Sequence, residues 1–293
     1  MNSFFRKPTL GLALGGGGAR GLAHIGVLKV LCSKNISIDY LAGTSMGAII
    51  AALYASKIPL DSLETEARSL GKLNKIARWV DRSIMGLDFI INGENIQEYF
   101  SKIIGKNMTF ESLHIPLALA SVDMKTGREV VIQTGSLVEG MHASMALPGI
   151  IKPLTRDGML LVDGGSLNNV PADLARSMGA EVVMAVNVSP AVTDAEYWER
   201  QKLPGIAAAN WRSNAIMVAS ITTAKLRRAK TDLVICPVLN DRVSTLSGFK
   251  YADKIITAGA AAARVVLPQL QELLKPRFFF SHPQKKPAVS IEL

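Results

Sequence analysis

Ser45 stands in Gly43-Thr44-Ser45-Met46-Gly47, and a serine with glycine two residues away on each side can be bent into a nucleophile. Where a strand turns sharply into a helix, the hydroxyl is pushed clear of the backbone. Neighbouring chain then comes too close for side chains, so glycine is needed on both flanks. A helix beginning at Met46 also directs its first free N–H groups toward any negative charge that develops beside the serine. The five residues alone can arise by chance, and a serine that merely caps a helix is the competing explanation. Their setting favours the nucleophile, because an apolar run at 38–42 leads in and an apolar, alanine-rich run at 46–55 leads out.

A second segment, Gly15-Gly16-Gly17-Gly18-Ala19-Arg20-Gly21, allows two chemistries. Gly16, Gly18 and Gly21 match the spacing of a dinucleotide-binding turn that follows a strand and opens a helix. That reading requires an acid at the carboxyl end of the second strand to hold a ribose. Asp39 is the nearest acid, but it stands at the start of that strand, and the end is occupied by the serine turn. The loop is therefore read as an oxyanion hole, with consecutive glycine N–H groups brought beside Ser45. Both loops then lie at the carboxyl ends of adjacent parallel strands, where open α/β sheets place their sites.

A nucleophilic serine needs a base. The chain has four histidines, and His24, His114, His142 and His282 all fall away from a strand end, where a hydrolase histidine is expected. His24 has the spacing of helix packing rather than chemistry. A carboxylate is the alternative: Asp163 ends an apolar run and is followed by Gly164-Gly165. Hydrogen bonding and partial removal from water can make such a group basic enough to take a serine proton. An aspartate that simply initiates a turn before glycine has the same local sequence.

The elements that must position these groups alternate in type. Strands are expected at 10–14, 38–42, 116–122, 129–133, 159–162, 181–188 and 233–236, with a tight turn at 125–127 joining the third and fourth. Helices are expected at 19–31, 46–55, 171–178 and 252–274, with largely helical stretches at 61–106 (a loop around 85–93) and 198–230. Two strand–turn–helix units in succession argue for parallel strands with right-handed crossovers. No repeat or linker divides the chain. A single catalytic domain is expected over 9–275, its motifs within 9–198 and a mostly helical part at 199–275, followed by a flexible tail at 276–293.

The 293 residues are 48% hydrophobic and only 6% aromatic, which suits tight helix–sheet packing better than a β-sandwich. Cys32 and Cys236 are too few and too far apart for a disulfide scaffold or a zinc site, and their apolar contexts read as buried free thiols. No metal and no cofactor is expected. The net charge of +9 comes without a nucleic-acid motif, so no nucleic acid is expected as partner. The cluster Lys225, Arg227, Arg228 and Lys230 reads as a solvated helix face that could also attract anionic membrane. Phe278-Phe279-Phe280 reads as a helix end packed on the core, with membrane contact as the alternative. No apolar run is long enough to span a bilayer.

Taken together, these blocks resemble the bacterial patatin-like phospholipases. The resemblance rests on Gly16-Gly-Gly-Ala-Arg-Gly21, Gly43-Thr-Ser-Met-Gly47, Ala143-Ser-Met-Ala-Leu-Pro148 and Asp163-Gly-Gly165, in family order over residues 9–198. It implies a three-layer α/β/α sandwich with a mostly parallel central sheet. It also implies a catalytic dyad of Ser45 and Asp163 without histidine. The oxyanion hole would be built from Gly16, Gly17, Gly18 and Met46, with Arg20 supporting the loop. The implied activity is calcium-independent hydrolysis of acyl esters of phospholipids or lysophospholipids, in the cytoplasm or peripherally at the inner face of the membrane. Acyl transfer or thioester hydrolysis through the same dyad, and a non-catalytic interaction protein on the same scaffold, are the alternatives. Oligomeric state is not legible in the sequence.

Overall fold

The computed structural model describes residues 5–70, 91–189, 205–239, 243 and 248–278. The strands are β1 (Phe5–Arg6), β2 (Leu10–Leu14), β3 (Tyr40–Gly43), β4 (Leu117–Asp123), β5 (Arg128–Ile132), β6 (Leu154–Arg156), β7 (Met159–Asp163), β8 (Val182–Val186), β9 (Leu233–Ile235) and β10 (Arg277–Phe278). The α-helices are α1 (Ala23–Ser33), α2 (Met46–Ala55), α3 (Leu60–Leu70), α4 (Gly93–Ile104), α5 (Leu137–Met145), α6 (Gly165–Asn168), α7 (Ala172–Ser177), α8 (Ile206–Arg228) and α9 (Ala252–Leu273).

One sheet organises the molecule, in the order β6-β7-β4-β3-β2-β8-β9 with β5 added to β4. Strands β4, β3, β2, β8 and β9 run parallel. β5 and β7 run antiparallel to β4, and β6 is antiparallel to β7. The central strand shows why two layers of helices are needed. In β2 the leucines at 10, 12 and 14 alternate with Gly11 and Ala13, so one face is bulky and the other nearly flat. The leucine face packs with α1, α2 and α9, and each fully buried leucine contributes roughly 1.5–3 kcal/mol. The flat face, with Ala13, Ala42, Ala118, Ala120 and Ala185, lies against Ala172 and Ala175 of α7 and Leu226 and Ala229 at the end of α8. This is the three-layer α/β/α sandwich with a mostly parallel sheet.

Several expected elements differ in detail. The 19–31 helix opens as a 3-10 turn, Gly18–Leu22, before α1 begins. The polar 61–106 stretch supplies α3 and α4, and all but the last three residues of the expected 85–93 loop lie outside the described residues. Strands β1, β6 and β10 are not among the expected elements: each is only two or three residues long, β1 and β10 pairing with each other from far apart in the chain and β6 forming a tight hairpin with β7. Phe278 accordingly pairs with Phe5 as a strand and does not end a helix, while Phe279, Phe280, His282 and most of the expected tail lie outside the described residues. Both cysteines are exposed, contrary to the expected burial. Cys32 sits on the outer side of the last turn of α1. Cys236 continues the outward-facing alternation of Val234 just beyond β9.

Helix α1 is held close against α9 by two glycines. A Cβ on Gly26 would stand 1.9 Å from the Ile256 carbonyl oxygen, and one on Gly259 would stand 1.9 Å from that of Ala23. This contact places α1, and with it the glycine loop at its N-terminus.

Candidate active site

Ser45 occupies the turn between β3 and α2 with φ 55° and ψ −124°, a left-handed conformation that costs a non-glycine residue about 1–3 kcal/mol. The flanking glycines are required by close approach. A Cβ on Gly47 would lie 2.0 Å from the Leu14 carbonyl oxygen, and one on Gly43 would lie 2.6 Å from the Ala48 Cα. The Ser45 N–H donates to the Ser144 carbonyl at 3.2 Å and to Ser144 Oγ at 3.1 Å.

Asp163 ends β7, paired with Ser121 of β4, and this register carries it to the carboxyl edge of the sheet beside Ser45. The Ser45 hydroxyl lies near enough to its carboxyl group to favour the ionised form. Asp163 Oδ1 accepts the Gly165 N–H at 2.8 Å. Only 6% of Asp163 is exposed, and burial pushes its pKa up to about 6 although the Ser45 hydroxyl and the Gly165 N–H favour the ionised form. The structure thus brings Ser45 and Asp163 together, and neither of the buried histidines bonds to the serine. His24 is fully buried with Nε2 2.7 Å from the Gly15 carbonyl, and burial lowers its pKa to about 4. The ring is neutral and donates to the first carbonyl of the glycine loop, so it braces that loop rather than titrating. His142 lies between Gln97 and the Lys152 carbonyl, and His114 is exposed.

The glycine loop packs directly on the serine: a Cβ on Gly16 would come within 3.1 Å of Ser45 Cβ. Its donors are not equivalent. Gly15 N–H is committed to Val186 and Gly16 N–H to the Asn169 carbonyl at 2.9 Å, with Asn169 Nδ2 returning a bond to the Gly16 carbonyl at 3.3 Å. Gly16 is therefore not a free donor, contrary to its expected place in the oxyanion hole. Gly17, Gly18 and Met46 donate no N–H hydrogen bond to any described residue. Arg20 is buried and ties the loop to the chain beyond β8, with Nε 2.8 Å from the Val188 carbonyl and Nη1 3.3 Å from that of Val243. Asn169 had no sequence signal, and Ser144 lay in the 143–148 block without a role, because each acts through backbone groups distant in the chain.

An apolar cavity of about 320 Å³ opens at this constellation. Ser45, Gly18 and Met46 line it together with Ile49, Ile50 and Leu53 of α2, Leu63 and Ala67 of α3, Ile96 and Phe100 of α4, and Met145, Leu147 and Ile151. A second cavity of about 770 Å³ between α7 and α8 is lined by Arg176, Lys225, Arg228 and Lys230 against Asp173 and Asp232, and lies away from Ser45 and Asp163. Lys225 pairs there with Glu129 and Asp173, and Arg176 with Asp232 at 2.6 Å. Lys225 is thus an internal tie and not part of a solvated face. Among the described residues no group of three His, Cys, Asp or Glu side chains is placed to hold a metal, and no helix is long and apolar enough to cross a membrane.

Comparison with known proteins gives a consistent picture. A family model described as patatin-like phospholipase matches residues 12–176, more than half of the chain. Human patatin-like phospholipase domain-containing protein 6 is 38% identical over 185 residues, covering 61% of this chain and 13% of that protein. The Drosophila melanogaster protein named neuropathy target esterase sws is 35% identical over 185 residues, covering 61% and 13%. An uncharacterized NTE family protein of Mycobacterium tuberculosis is 37% identical over 183 residues, covering 62% and 50%. The aligned part thus spans at most half the length of these relatives. The crystal structure of VipD from Legionella pneumophila superposes with a TM-score of 0.54 at 13% identity, covering 90% of this chain and 67% of that one, a likeness of fold.

Proposed function

The chain belongs to the patatin-like phospholipase family, and from that premise we propose that it hydrolyses acyl esters of phospholipids or lysophospholipids through Ser45 and Asp163. The observation that carries this is the Ser45 hydroxyl beside the buried Asp163 carboxyl group, at the wall of an apolar cavity. Asp163 takes the hydroxyl proton as Ser45 Oγ bonds to the ester carbonyl carbon. The resulting oxyanion lies against the free N–H groups of Gly17 and Gly18, with Met46 as a further donor. Collapse breaks the ester bond, and the leaving alcohol takes the proton from Asp163. Water, deprotonated by Asp163, then attacks the acyl-serine, and the proton passes from Asp163 to Ser45 Oγ as the fatty acid leaves. The catalytic domain is assigned to residues 9–275, since β9 completes the sheet and α9 packs on α1. The test is hydrolysis of a panel of phospholipids and lysophospholipids by wild-type and Ser45→Ala protein, alongside fluorophosphonate labelling. Release of fatty acid by both proteins alike would remove the reading.

The cavity supports one acyl chain lying along α2. Ile49 and Leu53 follow Ser45 at spacings of four and eight, on the same helix face, so Leu53 lies about 12 Å from Ser45 along the axis. Leu53→Trp is expected to lower kcat/KM for long-chain esters about tenfold or more, with butyrate esters within twofold of wild type. An unchanged chain-length profile would place the acyl chain elsewhere.

Membrane contact is assigned to α8. The 23-residue helix is about 34 Å long, twice the span of a five-residue strand. Its C-terminal end is fixed at the amino edge of the sheet, where Arg176 binds the Ala229 and Lys230 carbonyls and Asp232 bonds to Val183 at the start of β8. Its other half therefore reaches past the carboxyl edge, the edge that carries Ser45. Ile206, Trp211, Ile216 and Met217 are exposed there, and the helix contains no acidic residue. The basic cluster lies at the opposite end. Trp211→Ala combined with Met217→Ala is expected to slow hydrolysis of vesicle lipid at least several-fold and to leave a soluble ester untouched. Equal rates on vesicles would reject this surface.

A further inference from the structure

Ser45 and Asp163 come from segments more than a hundred residues apart, yet both backbones are fastened to the same four residues. The Ser45 N–H reaches the carbonyl and Oγ of Ser144, and the Asp163 N–H donates to the Ala146 carbonyl at 3.0 Å. Ser144 Oγ, fully buried, donates in turn to the Ala120 carbonyl of β4 at 2.7 Å. Ser121, next along β4 and also fully buried, donates to the Val162 carbonyl at 2.8 Å and lies 3.4 Å from the Ala143 carbonyl. We infer that the end of α5, residues 143–146, is the spacer that sets the distance between Ser45 and Asp163, and that Ser144 is a positioning residue for the nucleophile. This rests on the proposed Ser45–Asp163 reading.

The physical case turns on the strained turn. A non-glycine residue at φ 55° persists only where surrounding bonds over-determine it. Ser45 donates its N–H twice to one residue, and that residue is itself pinned to the sheet. Helix α5 is fixed at a second point by His142. Its Nε2 lies 2.8 Å from the Lys152 carbonyl and carries the proton, and its Nδ1 accepts from Gln97 of α4 at 2.8 Å. The same segment continues into Met145, Leu147 and Ile151 of the cavity wall, so the residues that hold the acyl chain also hold the two reacting groups.

Ser144→Ala removes the Oγ acceptor and the bond to Ala120 while leaving the Ser144 carbonyl in place. Misplacement of a nucleophile by up to an ångström reduces rates by as much as about a hundredfold. The expected result is a kcat lowered between about tenfold and a hundredfold, with KM for a soluble ester within twofold and fluorophosphonate labelling slowed in parallel. Measurements are made well below each variant's Tm, so that lost fold does not count as lost rate. Ser144→Cys, close in size and a weaker acceptor, serves if the alanine variant does not fold, and the same loss is expected. Wild-type kcat in either folded variant overturns the inference. Ser45→Ala separates the two levels of failure. If it keeps full activity, the nucleophile reading falls and this inference with it; if it is inactive while Ser144→Ala is unimpaired, only the spacer falls.

Discussion

Replacing Ser45 by alanine is expected to lower kcat by roughly 10⁴- to 10⁶-fold while the protein remains folded. Among the described residues no other serine is placed to take over the nucleophile's role: Ser144 Oγ is buried and committed to Ala120, and Ser62, which also lines the cavity, lies in α3. The free N–H groups of Gly17 and Gly18 remain, so substrate still binds and the loss falls on kcat rather than KM. Stability adds a second signature. Alanine keeps a Cβ at φ 55° and leaves the turn strained, whereas glycine removes the strain. Ser45→Gly is therefore expected to melt above Ser45→Ala, by an amount on the order of 1 kcal/mol in free energy. The checks are turnover of a lysophospholipid, intact-mass detection of the fluorophosphonate adduct, and thermal unfolding of the three proteins. An adduct that persists in Ser45→Ala would identify another nucleophile.

Much of this site was legible because its parts are local. The turn at Ser45 announces itself by two glycines that backbone approach demands, and the apolar runs beside it have the periods of strand and helix. Asp163 was legible as a strand end before glycines, although the same letters describe an ordinary turn, and only the pairing of β7 with β4 brings it to Ser45. The glycine loop was legible as a cradle but not in its division of labour. Gly16 spends its N–H on Asn169, 153 residues away, and no local pattern marks Asn169 as its partner. Ser144 and His24 illustrate the same limit. Ser144 lies in a recognisable block, yet its bonds run to Ser45 and Ala120; His24 has helix-packing spacing and also braces the Gly15 carbonyl. Burial of Cys32 and Cys236 was misjudged for a related reason, since an apolar neighbourhood in sequence does not say which flank of a helix or strand faces solvent. The basic cluster at 225–230 was legible as charge on a helix, but the pairing of Lys225 with Glu129 and Asp173 was not, because both partners lie far away in the chain.

Asp163→Asn is expected to move activity and stability in opposite directions, which a turn aspartate would not do. In the folded protein burial raises the Asp163 pKa to about 6 from an ordinary value of 3.8, which the unfolded chain retains. Between those pH values the folded state holds a proton that the unfolded state has released. Stability is therefore highest below about pH 4, falls as pH rises toward 6, and stays low above it. A shift of this size amounts to about 3 kcal/mol. Asparagine has no charge to desolvate and can still accept the Gly165 N–H through its side-chain oxygen. At pH 8 the variant is expected to unfold several degrees above wild type, and below pH 4 the two should converge. Activity has the reverse dependence: only the ionised carboxylate accepts the Ser45 proton, so wild-type kcat/KM should fall tenfold per pH unit below about 6. Asp163→Asn should show no such limb, only a flat rate about 10⁴-fold below the wild-type plateau. Thermal unfolding and initial rates across pH 4–9 measure both halves. A variant that loses stability at pH 8 would make Asp163 a structural turn residue, with the proton of Ser45 going elsewhere.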